Sequence, residues 1–250
     1  MEIVIIGSGN VAFHLNNAFY EANIKVSQLF GRNEDALKLM SETTKIPYST
    51  NTLQNADLYI ICVKDDVVAE VSQIIKNENA LVVHTSGSMP KDILEGNYRK
   101  GCFYPLQTFS KSKVLDYTEI PFFIEAENTQ DLNILKNLAL RISPRVQEAD
   151  YEKRKYIHLT AVFACNFVNH LYARAKEIAD SQNIPFNYFI PLIEETMDKI
   201  YYLDPKKAQT GPAVRNDARV LELHKQLITD ETQLEIYNLM NQSIKKMYEL

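Results

Sequence analysis

Three cysteines are all that the 250 residues contain, and they stand far apart at positions 62, 102 and 165. Their spacing suits neither a metal site nor a disulfide framework, and an odd thiol would be left over. We therefore expect buried, reduced thiols and a cytoplasmic setting. An excess of positive charge is also missing: 27 Lys and Arg against 32 Asp and Glu give a net charge of −5 and a pI near 5.6. General binding to nucleic acid or to an anionic membrane surface needs a basic face, so neither partner is expected. The opening apolar run, Ile3–Ile6, is far too short to cross a bilayer. Met1-Glu2 leads straight into it with no basic segment and no cleavage site, so no export signal is expected. Repeats and low-complexity tracts are absent as well.

What is present changes texture near residue 150. Before it, short apolar runs at residues 3–6, 26–30, 58–63, 81–84, 102–104, 122–124 and 145–147 read as strands. Helical patterns at residues 11–22, 34–42, 66–76 and 129–142 lie among them. Such alternation predicts an α/β domain over residues 1–150, with a mostly parallel, doubly wound sheet covered on both faces. From Tyr151 to Gln182 there is neither proline nor glycine, and Ile157, Ala161, Ala164, Val168, Leu171, Ala175 and Ile178 recur at helical spacing. That pattern predicts one unusually long helix. Helices at about 186–202, 213–227 and 232–249, interrupted by DPKKAQTGP at 204–212, make residues 151–250 an all-α domain.

The chemistry begins at Gly7-Ser8-Gly9-Asn10-Val11-Ala12, a G-x-G-x-x-A turn between the first strand and the first helix. Gly7 permits the tight turn, Gly9 lacks the Cβ that would block a diphosphate, and Ala12 lets helix and strand pack closely. Unpaired N–H groups from Ser8 to Val11 then face the phosphates at the positive end of the helix. NAD sites usually carry an acidic residue about 20 positions later to bind the ribose 2′-OH. Here the second strand ends Gly31-Arg32-Asn33. Arg32, with Asn33 as an additional donor, suits a 2′-phosphate, so NADP(H) is favoured over NAD(H). Glu34 and Asp35 read as favourable first-turn charge. The corners CVKDD at 62–66 and HTSGS at 84–88 follow apolar strands. Val63, Lys64, Thr85, Ser86 and Gly87 there either line the rest of the dinucleotide or simply build turns.

The glycine turn, the GRN corner, ADLYIICVKDD and the helical second half together resemble the 6-phosphogluconate dehydrogenase-like superfamily. Its members include pyrroline-5-carboxylate reductase and the deazaflavin-dependent NADP oxidoreductases. YPLQTFS at 104–110, HLTAVFACNF at 158–167 and TGPAVRND at 210–217 resemble, more narrowly, Rossmann-like oxidoreductases whose helical C-terminal domain has no assigned function. The resemblance spans the chain. It implies an NADP-type coenzyme in the first domain, a helical domain that often dimerises, and a small-molecule site in the cleft between the domains. It does not imply a substrate. The superfamily's hydroxyacid dehydrogenases carry a Lys and an Asn at i and i+4 early in the long helix. This chain departs from that pattern, with Leu159 four after Lys155 and Val162 four before Asn166. Lysine-based alcohol oxidation is therefore not expected.

Hydride transfer asks of the protein orientation, a proton donor or acceptor, and exclusion of water. His158, early in the long helix, titrates near neutrality and is the acid/base candidate, or else a core histidine. Asn166, in an apolar stretch where a buried amide needs partners, is either an orienting group or a helix-packing residue. Eight helical residues span about 12 Å, so the two can line one cleft but not act on one bond together. His170 shares a face with Asn166 and ranks third. Tyr104, Gln107, Thr108 and Ser110 at a strand exit are candidate substrate contacts or loop-building residues. Arg215 and Asp217 read as an anion site or as an ion pair with each other. The Tyr201-Tyr202 and Phe186–Phe189 aromatics read as core or dimer interface. Two functions follow: an NADP(H)-dependent oxidoreductase acting on a small metabolite, or a dinucleotide-binding redox sensor or interaction protein without turnover.

Overall fold

The computed structural model describes all 250 residues, in two compact units, Met1–Asn166 and Phe167–Leu250. The first is built on an eight-stranded sheet of order β3-β2-β1-β4-β5-β6-β7-β8. Its strands are β1 (Ile3–Ile6), β2 (Gln28–Phe30), β3 (Tyr48–Ser49), β4 (Leu58–Ile61), β5 (Leu81–His84), β6 (Arg99–Pro105), β7 (Phe122–Ala126) and β8 (Val146–Glu148). Every neighbouring pair is parallel except β6 with β7. All four residues of each of β1, β4 and β5 are buried, which is why these strands are mostly β-branched and leucine runs, joined by Tyr59 and His84, rather than alternating polar and apolar ones. The expected α/β sheet is therefore present. The two-residue strand β3 was not expected; so short an edge element carries no periodic signal.

Helices α1 (Asn10–Glu21), α2 (Glu34–Thr44), α3 (Val68–Ser72) and α4 (Thr129–Leu140) lie among the strands. The helix expected over 66–76 shrinks to α3, because Ser72 Oγ bonds back to the Ala69 carbonyl and residues 73–75 continue with tighter i−3 bonds. The long run after Asp150 is α5 (Tyr151–Ala161), a π-helical segment Val162–Phe167, and α6 (Val168–Ser181). By packing, α5 and most of the π segment join the sheet unit, so the units divide beyond the change in sequence texture at residue 150.

The helical unit continues with α7 (Ile190–Lys199), α8 (Pro205–Ala208), α9 (Ala218–Leu227) and α10 (Glu231–Met247). The helix expected from 213 begins only at Ala218: Asn216 adopts a left-handed φ of 51°, and Asp217 caps α9 through the Val220 N–H. Asp217 is thus a cap and not the ion-pair partner of Arg215. Few residues of this unit are buried. Tyr201 is 76% and Tyr202 66% exposed, so neither is a core aromatic of this chain. Of the cysteines, Cys62 and Cys102 are buried as expected, whereas Cys165 is exposed in the π segment. No helix is long and apolar enough to cross a membrane.

Candidate functional site

Strand register sets the site's floor. Ile6 pairs with Phe30 and with Ile61, Ile61 pairs with His84, and His84 pairs with Cys102. The carboxyl ends of β2, β1, β4, β5 and the middle of β6 therefore stand level, and the loops leaving them crowd one edge. Strand order reverses at β1, between β2 on one side and β4 on the other, which in open α/β sheets opens a crevice. A cleft of about 970 Å³ occupies that place, and all its walls come from the first unit.

At the floor is the glycine turn. Gly7 has φ +126°, and a Cβ there would sit 2.2 Å from the Cys62 carbonyl oxygen, so only glycine lets the β1 and β4 exits lie this close. A Cβ on Gly9 would meet nothing within 4 Å: the space above it is open. Gly9 is also the N-cap of α1, which has no side-chain cap and no acidic residue in its first turn. Helices α2, α4, α5, α9 and α10 differ, each having its first turn satisfied by an Asn or Asp. The first-turn amides of α1 are left for something outside the chain, and an anionic group with close access fits them. Ser8, Asn10 and Val11 line the same wall, although the Asn10 side chain is committed to the Phe109 carbonyl (2.9 Å).

Along one side the cleft is bounded by Gly31, Arg32 and Asn33. Arg32 is exposed, as a group reaching for a ligand phosphate would be. Asn33 has a structural task, because its Oδ1 accepts from the Ala36 N–H and caps α2. Val63, Lys64, Thr85, Ser86 and Gly87 also line the cleft. Two of their side chains are spent locally. Thr85 Oγ1 donates to the Ile61 carbonyl, and Ser86 Oγ accepts from the Ser88 and Met89 N–H groups. Ser88 in turn donates to Asp65 at 2.5 Å.

The far end brings a phenol and an imidazole together. Tyr104 Oη lies 3.1 Å from His158 Nδ1, a pair that joins the end of β6 to α5 across 54 residues. Gly87 makes this possible: a Cβ there would come within 2.6 Å of Tyr104 Cζ and 2.9 Å of His158 Nδ1. Burial pushes the Tyr104 phenol up to about 12, with the neighbouring Cys102 and Asp65 acting in the same direction, so it holds its proton throughout the neutral range. Gln107 also lines the cleft, with its Oε1 taken by the Thr108 N–H at 2.7 Å. Thr108 and Ser110 fall outside the walls, and the Ser110 carbonyl is bound by His14.

Asn166 and His170 are exposed, and neither belongs to this cleft. The burial expected for Asn166 does not hold: it stands exposed in the π segment, where Phe163 is also 62% exposed. Arg215 is exposed within the helical unit. Two groups escaped the sequence reading. Arg154, fully buried four residues before His158, donates to Glu125 (2.5 Å) and to the Met89 carbonyl (2.6 Å), tying α5 to β7 and to the loop after β5. Its signal was available, since a charge shares the face of α5 that carries His158. His84 is buried, and burial, aided by Arg154 and opposed by the Pro90 backbone and Asp65, lowers it to about 4.

Residues 120–244 match the domain-of-unknown-function family DUF2520, and residues 2–87 match the family described as NADP oxidoreductase, coenzyme F420-dependent. A Bacteroides fragilis protein provisionally described as an NADP oxidoreductase is 42% identical, with a TM-score of 0.92, over 100% of this chain and 98% of that one. A reductive aminase from Aspergillus terreus, in complex with NADPH and ethyl-5-oxohexanoate, is 12% identical with a TM-score of 0.71, covering 98% and 94%. A pyrroline-5-carboxylate reductase from Coxiella burnetii is 14% identical with a TM-score of 0.58, covering 98% and 92%. These last two share the fold. The chain matches no curated protein.

Proposed function

The chain belongs to the DUF2520 family, whose helical region here follows an NADP-oxidoreductase-type domain, and on that premise we propose an NADP(H)-dependent oxidoreductase acting on a small metabolite. The observation that carries this reading is the conjunction in one cleft of an uncapped helix N-terminus above an open Gly9 and a Tyr104–His158 pair at the other end. The amides from Ser8 to Val11 hold the coenzyme diphosphate. Arg32 would take the 2′-phosphate, with the Asn33 amide as a second donor. Val63, Lys64 and the backbone of Thr85–Gly87 bound the nicotinamide half. When bound, the reduced nicotinamide supplies a hydride.

The proton is the protein's part. Tyr104 presents a phenol that stays protonated, and His158 Nδ1 is within hydrogen-bonding distance to restore a proton that the phenol gives to a substrate heteroatom. Gln107 orients the substrate beside them. Arg215, exposed in the helical unit, is assigned no step. Asn166, exposed and outside the cleft, is assigned no step. The partners proposed are this small molecule and a second copy of the chain through the helical unit. That unit leaves Leu227 71% and Tyr188 69% exposed, apolar surface that a homodimer would remove from water.

Calorimetric titration of the folded protein with NADPH and NADH tests the reading. Wild type binds NADPH; Arg32→Ala loses about tenfold or more of that affinity and little of any affinity for NADH. Equal losses for both would remove Arg32 from the 2′-phosphate site. With a substrate found by following NADPH consumption over carbonyl, imine and deazaflavin panels, His158→Gln lowers turnover by about a hundredfold while NADPH affinity holds. NADPH binding with no turnover on any panel would favour the sensor reading.

A further inference from the structure

Residues 106–116, between β6 and the 3₁₀ turn Tyr117–Glu119, form a strap without regular structure. Its long-range hydrogen bonds between residues 107 and 112 all run to one place, the glycine turn and the start of α1. Asn10 Nδ2 donates to the Phe109 carbonyl (2.9 Å), His14 Nε2 to the Ser110 carbonyl (2.9 Å), and Lys111 Nζ to the Ser8 carbonyl (2.9 Å). Phe109 stacks on the His14 ring at 5.1 Å, and Lys111 lies 5.8 Å from the centre of the Phe13 ring. The strap is fastened across the turn that the coenzyme reading assigns to the diphosphate.

That turn has an electrostatic deficit. From Gly7 to Val11 there is no cationic side chain. The buried His14 next along α1 uses both ring nitrogens on Ser110 and Tyr117. A helix N-terminus supplies only about half a positive charge, whereas a diphosphate carries two negative ones. Lys111 is not itself a wall of the cleft, but the strap brings its ammonium to Ser8, which is. Lys111 Nζ sits at the carbonyl of the residue between the two glycines, and that bond uses one of its three N–H donors. Four methylenes let the ammonium move toward a phosphate oxygen without moving the strap.

We propose that Lys111 is the counter-charge of the coenzyme diphosphate, brought to the glycine turn by the strap. The proposal rests on the coenzyme reading above and adds a residue to it. It divides recognition between two cations: Lys111 serves the part common to both pyridine coenzymes, and Arg32 the phosphate that distinguishes them.

Calorimetry on Lys111→Met and Lys111→Arg with three probes decides it: NADPH, NADH and adenosine 2′-monophosphate, which has no diphosphate. The Met variant should weaken NADPH and NADH by the same factor, about tenfold, with adenosine 2′-monophosphate unchanged and a shallower salt dependence. The Arg variant should keep most of the affinity. Losses below about twofold in the Met variant, beside intact wild-type binding, would overturn the role of Lys111 and leave the coenzyme reading standing. Loss of adenosine 2′-monophosphate as well would also overturn it, since the lysine would then be holding the fold. Wild type that binds neither coenzyme would overturn both.

Discussion

Acid should weaken this protein through one identifiable ring. His84 ends β5, at the base of the loop that carries Gly87 against Tyr104 and His158, and burial with the Arg154 charge nearby lowers it from 6.5 to about 4. Because the folded value lies below the unfolded one, protonation favours the unfolded chain. The stability this represents is complete above pH 6.5 and is lost as the pH falls from there to about 4. The difference corresponds to about 3 kcal/mol, a large fraction of the roughly 5–15 kcal/mol that holds a domain folded. Urea unfolding of wild type and His84→Asn across that range isolates the effect. Asn can still accept from the Ser86 N–H, which His84 Nδ1 accepts at 3.1 Å, and carboxylate contributions common to both proteins cancel in the difference. The wild-type advantage over the variant should shrink by about 3 kcal/mol between pH 7 and pH 4. Parallel curves, or a His84 ring that titrates near 6.5 by NMR, would refute the reasoning.

Gly87→Ala places a methyl against the rings of Tyr104 and His158, which cannot both retreat because Tyr104 packs on Phe123. We expect a stability loss of about 1–3 kcal/mol in urea, together with loss of the Tyr104–His158 hydrogen bond in the His158 ring spectrum; an unchanged spectrum would show that the pair tolerates the methyl. Arg154→Met leaves the partly buried Glu125 beside no guanidinium and should cost about 3–5 kcal/mol, part of it recovered in the double variant with Glu125→Gln. No recovery in the double variant would show that Lys91, 3.7 Å from Glu125, already neutralises the carboxylate.

Much of this architecture is legible along the chain because its signals are local. The runs at 3–6, 58–63 and 81–84 mark β1, β4 and β5 because those strands are buried on both faces. The G-x-G-x-x-A pattern located the uncapped helix because both depend on neighbouring residues. Expectation failed where a single side chain competes with the backbone, as Ser72 does in shortening α3 and Asp217 in delaying α9. It failed also for Asn166 and Cys165, exposed in a π-helical segment that apolar periodicity does not report. His158 and Tyr104 were both named from residue type, but as acid and substrate contact, with nothing to pair them.

By itself, then, the sequence determined the order of elements, the parallel sheet and the anion-ready turn, since each is fixed within a few residues by burial, glycine and the helix terminus. Tertiary structure alone decided the rest. It brought Tyr104 to His158 across 54 residues, with Gly87 giving them room. It buried Arg154 against Glu125 and laid Lys111 over a turn 103 residues earlier in the chain. Those are contacts between groups whose separation in sequence carries no periodicity, so only the packing of the sheet and its loops could set them.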